Sequence, residues 1–146
     1  MLIIREWKGV MEDKEIEKIL SRKYLDMIKR SSKEEKSEKK VLYYLDSTNF
    51  DKFLNENINV IVDFFADWCG PCKIMAPIFE QVAREYSPSI MFAKLNVDQS
   101  PDIAERFFIM GVPTIIYFKS GKAVEKIVGA VNKSILKQKI KEVYGL

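Results

Sequence analysis

The chain has 146 residues, 47% of them hydrophobic, which suits one domain of ordinary size with an appendage and excludes wholesale disorder. Its net charge of +3 is too small to indicate a nucleic-acid binder, and the excess lies in residues 1–40, with 12 Lys/Arg against 9 Asp/Glu. Two cysteines and no histidine exclude an imidazole base, a Ser-His-Asp triad, a His-ligated metal and a disulfide-stapled secreted scaffold.

Leu2-Ile3-Ile4 is too short an apolar run for a signal peptide, and Arg5, Glu6 and Lys8 follow it. No segment approaches the roughly 20 apolar residues of a membrane span. A cytoplasmic protein without membrane contact is therefore expected. Abundant Lys, Glu and Ile with scarce Gln point to a thermophilic source. Ile16, Ile19, Leu20, Tyr24, Met27 and Ile28 recur at helical spacing, so residues 1–30 read as an extension holding an amphipathic helix over about 12–30. Such a stripe seeks a surface: the domain itself, a client, or a second copy of the chain in a dimer. Residues 31–40 carry no apolar side chain and read as a charged linker.

A domain over 41–146 follows. Val41–Leu45 reads as a strand, and Ser47 or Thr48 is suited to cap a short helix ending near Asn57. Val60–Ala66 is almost continuously apolar, the pattern of a strand buried on both faces. Cys69–Tyr86 reads as a helix with Pro77 inside it, where a kink is expected. Ile90–Val97 reads as a strand and Pro101–Phe108 as a short helix. Thr114–Lys119 and Ala123–Val128 form a hairpin around Ser120-Gly121-Lys122, and Asn132 caps a closing helix to about Val143. The order predicts an α/β fold with one mixed sheet, parallel first and antiparallel at the hairpin, flanked by helices on both faces. A reactive residue that follows a central strand and opens a helix sits where such sheets place their sites.

Cys69 and Cys72 occupy that position in Trp68-Cys69-Gly70-Pro71-Cys72. A zinc half-site needs two more ligands, and no third cysteine or histidine exists to supply them. An inert disulfide would close a very short loop for little entropic gain. Reversible redox chemistry remains. The unpaired N–H groups and positive dipole end of a helix favour a thiolate at Cys69, which makes it the attacking thiol. Cys72, one turn further in, then serves as the resolving thiol. Pro71 suits a first helical turn, and Gly70 leaves room for a partner's backbone.

Asp63 is the one ionisable group in Val60-Ile61-Val62-Asp63-Phe64-Phe65. Burial would raise its pKa and suit it to accept the Cys72 proton, but a strand-end aspartate bonded to backbone N–H groups fits the pattern equally. Lys94 either pairs with Asp63 across the sheet or points to solvent. Lys73 reads as a solvated helix residue. Pro113 by itself favours an ordinary trans turn.

Trp68-Cys69-Gly70-Pro71-Cys72-Lys73 resembles the active-site sequence of the thioredoxin family. The resemblance extends through Asp63, Pro77, Ala93-Lys94-Leu95-Asn96-Val97-Asp98, Gly111-Val112-Pro113-Thr114, Gly121 and Gly129, in the family's order and spacing. It implies the thioredoxin fold and reduction of protein disulfides, with recharging by a flavin-dependent thioredoxin reductase and no cofactor beyond the redox-active disulfide Cys69–Cys72. It also implies proton transfer at Asp63, the Asp63–Lys94 pairing, and a cis peptide before Pro113. By the same resemblance Trp68, Gly70, Pro71, Val112 and Pro113 line the substrate groove, the Val112 backbone pairing with an extended client segment. Phe65 stands where many members have tryptophan, and residues 1–40 have no counterpart in a minimal member.

Overall fold

The computed structural model describes residues 40–146 together with Ser21 and Arg22, so the helix read over 12–30 and the linker over 31–40 lie largely outside the described residues. Lys40–Leu146 form one unit, and the elements occur in the predicted order. They are β1 (Leu42–Leu45), α1 (Phe50–Glu56), β2 (Asn59–Phe65), α2 (Gly70–Tyr86), β3 (Met91–Asn96), α3 (Pro101–Arg106), β4 (Thr114–Lys119), β5 (Lys122–Val128) and α4 (Lys133–Tyr144).

The strands form one sheet in the order β1-β3-β2-β4-β5. β3 runs parallel to β1 and β2, while β4 is antiparallel to both β2 and β5. Side chains alternate across a strand, so β2 divides its residues between two cores. Val60, Val62 and Phe64 pack with Phe50 and Leu54 of α1 and Ile103 of α3. Ile61 packs on the opposite face with Met75, Phe79 and Val82 of α2 and Leu136 and Ile140 of α4. Asp63 shares the parity of Ile61 and so faces α2. Each fully buried aromatic such as Phe50, Phe64 or Phe79 contributes about 1.5–3 kcal/mol.

Local signals hold in the C-terminal part of the domain and give way at α1 and α3. Asn132 caps α4, its side chain accepting from the Ile135 N–H at 3.0 Å. Ser120 and Gly121, with φ of 52° and 81°, form the two-residue hairpin turn whose twist suits adjoining strands. Neither Ser47 nor Thr48 caps α1: Asn49 holds that position, and Asp46 Oδ1 accepts from the Thr48 and Asn49 N–H groups before it. Ser47 instead donates through its hydroxyl to Asp102.

Helix α3 ends at Arg106, two residues before the expected end, because Phe108 adopts a left-handed φ of 55°. The Ile109 N–H donates to the Ala104 carbonyl and the Phe108 N–H to the Glu105 carbonyl, the paired bonds that close a helix at a left-handed residue. Glycine is favoured there, since a residue with a Cβ costs roughly 1–2 kcal/mol in that conformation.

Candidate active site

Cys69 ends the loop after β2 and is the N-cap residue of α2, with Pro71 in the first turn. Cys69 and Cys72 form a disulfide with Cα atoms 5.3 Å apart. The Cys72 N–H donates to Cys69 Sγ at 3.1 Å, so an otherwise unpaired helix donor is aimed at this sulfur. An amide donor and the positive end of the helix dipole both favour negative charge on Cys69 once the disulfide is opened.

The two thiols differ in surroundings rather than in exposure. As half-cystines they are 3% and 4% exposed, so neither is the more accessible in the disulfide form. Cys69 Sγ lies 3.5 Å from the Val112 carbonyl oxygen. Cys72 instead lines a cleft of about 370 Å³ together with Tyr44, Phe65, Asp67, Lys73 and Lys94.

Asp63 is fully buried, and its register partner on β3 is Lys94. Lys94 Nζ donates to Asp63 Oδ2 at 3.2 Å, while Asp63 Oδ1 has no partner. Burial raises the Asp63 pKa above the ordinary carboxylate range, with the Lys94 charge and hydrogen bond pulling it back in part. The solvent-facing reading of Lys94 is thus wrong, because its stem is buried and its ammonium lies 4.7 Å from the Phe65 ring centroid. Through Lys94 and Cys72 the same cleft reaches both halves of this arrangement. Phe65, standing in place of a tryptophan, thereby becomes a neighbour of the ion pair.

On the other side of Cys69, a groove of about 190 Å³ is lined by Trp68, Val97, Ile109, Met110, Gly111 and Val112. Trp68 is 71% exposed, and its Nε1 donates to Asp98 Oδ2 at 2.8 Å. The Val112–Pro113 peptide is cis, as the resemblance implied and the sequence alone did not. A Cβ at Gly70 would meet nothing within 4 Å, so among the described residues no contact requires glycine there. The sequence reading gave no role to Asp98, although it lies in the 93–98 run, nor to Tyr44, Ile109 or Met110. Among the described residues no group of three or more His, Cys, Asp or Glu side chains is placed to hold a metal. No helix among them is long and apolar enough to cross a membrane.

The thioredoxin family model matches residues 41–142. The chain belongs to the thioredoxin family. A chloroplastic M-type thioredoxin of Spinacia oleracea is 44% identical over 97 residues, covering 66% of this chain but only 54% of the spinach protein. A thioredoxin of Chlorobaculum thiosulfatiphilum is 42% identical over 105 residues, covering 70% of this chain and 97% of that one. The solved thioredoxin of Plasmodium falciparum is 38% identical, superposes with a TM-score of 0.65, and covers 69% of this chain and 98% of its own. The thioredoxin fold and the Cys69–Cys72 pair make this chain a dithiol–disulfide oxidoreductase by family and by chemistry.

Proposed function

We propose that the chain reduces disulfides of protein clients in the cytoplasm and is recharged by a thioredoxin reductase. The observation that carries this reading is the Cys72 N–H directed at Cys69 Sγ, which stabilises a thiolate at the sulfur adjoining the groove. The Cys69 thiolate attacks one client sulfur; a Cys69–client disulfide forms as the client bond breaks, and the released client thiolate takes up a proton. Cys72, losing its proton to Asp63 through water in the cleft, then attacks Cys69 Sγ. The Cys69–Cys72 bond forms, the second client thiolate leaves, and two electrons have passed to the client. Lys94 holds the Asp63 carboxyl in place and moderates its pKa. Trp68, Gly70 and Pro71 form the apolar rim, and Val112 and Pro113 line the groove, along which an extended client segment lies. Residues 1–30 are an accessory segment joined by the linker at 31–40, acting on partner choice or placement, with a dimer through the helix as one arrangement.

Insulin reduction and adduct trapping test the assignment. Cys69→Ser should abolish turnover, whereas Cys72→Ser should accumulate a mixed disulfide through Cys69, seen by mass spectrometry. Efficient adducts through Cys72 in the Cys69→Ser protein would reverse the two roles, and an inactive parent chain would refute the function.

A further inference from the structure

The loop between α3 and β4 places four apolar residues in a row, Phe107-Phe108-Ile109-Met110. Phe107 and Ile109 pack against the core beneath them. Phe108 and Met110 turn outward, 77% and 93% exposed. Among the described residues, packing accounts for neither outward side chain. Phe108 occupies the left-handed position closing α3, where glycine carries no strain, and its ring gains little burial in return. A non-glycine residue held there without packing benefit directs attention to function.

Met110 gives that function a location. It lines the groove with Trp68, Val97, Ile109, Gly111 and Val112, a lining without a charged side chain. The groove adjoins the reacting sulfur through Val112, whose carbonyl oxygen lies 3.5 Å from Cys69 Sγ. A segment that delivers its disulfide to Cys69 must therefore set a neighbouring side chain beside this loop. We propose that Phe108 and Met110 are specificity-determining residues that select client segments with a bulky apolar side chain next to the target cysteine. The inference rests on the proposed reduction at Cys69 and adds what the client must look like.

Two synthetic peptide disulfides, identical except for leucine or serine beside the attacked cysteine, supply the test. Second-order rates of their reduction by the reduced full-length protein are compared. The parent should favour the leucine peptide by about tenfold, the usual worth of one apolar side chain partly buried in a groove. Phe108→Gly and Met110→Ser should each lower that ratio about threefold, the double variant should bring it near unity, and Met110→Leu should retain it. Phe108→Gly relieves a left-handed strain, so its melting temperature should not fall and loss of fold cannot mimic the effect. A parent that reduces both peptides equally fast, or a double variant that keeps the parent ratio, overturns the specificity proposal alone. A parent that reduces neither peptide overturns the proposed function, and this inference with it.

Discussion

Replacing Asp63 by asparagine should stabilise the protein at neutral pH while slowing its turnover. The side chains are nearly isosteric, Asp63 is fully buried, and one of its oxygens has no partner. Asparagine can still accept from Lys94 and leaves one polar atom unpaired as before, so the change removes little but the charge. Lys94 keeps its place over the Phe65 ring and at the cleft, which limits the loss from its unpairing. Burial outweighs the Lys94 charge and hydrogen bond in raising the Asp63 pKa, so the charged carboxylate is a net cost to the fold at neutral pH, and removing it should gain on the order of 1–3 kcal/mol at pH 7. For a domain of this size that is a rise of roughly 4–12 °C in melting temperature. The pH dependence has a definite sign. The folded pKa of Asp63 lies above the ordinary 3.8, so the folded state binds its proton more tightly than the unfolded state. Stability of the parent therefore falls as pH rises from 3.8 through the folded pKa and levels off above it. The advantage of Asp63→Asn should grow as pH rises above 3.8 and vanish below it, where both states carry a neutral carboxyl. Denaturant titrations of the oxidised proteins at pH 7 and pH 3.5 measure the difference. An equal gain at both pH values, or a loss at pH 7, refutes the burial argument. Stopped-flow reduction of insulin from pH 6 to pH 8 reads the other half, and rates equal to the parent's throughout would leave Asp63 a structural residue.

A chain starting at Val41 should unfold cooperatively and reduce insulin at near the full rate, because every strand of the described sheet lies beyond that residue. Insolubility, or a much lower melting temperature, would place residues 1–40 in the core. Asn132→Ala removes the side chain that accepts from the Ile135 N–H and should cost about 1 kcal/mol, near 4 °C, without altering the rate of disulfide reduction. An unchanged melting temperature would show that α4 is held by Leu136 and Ile140 alone.

Among the described residues, element identity and order were legible in the sequence because they depend on neighbours a few positions apart. Alternation and continuous apolar runs marked the strands, Asn132 marked the start of α4, and the strand before Cys69 placed it at a helix N-terminus. Even the error in α3 was local, since only the backbone reveals that Phe108 takes the left-handed conformation. The rest of the site depends on register between distant segments. Asp63 meets Lys94 across 31 residues, and Cys69 meets Val112 across 43. A shift of one residue in β3 would turn Lys94 to the other face of the sheet, leaving the carboxylate buried without its cation. The sequence by itself determined which thiol pair reacts and on which element it stands. Tertiary structure decided the two environments of that pair, a groove beside Cys69 and a cleft shared with Lys94 at Cys72, because burial and charge pairing arise only where separate strands and loops converge.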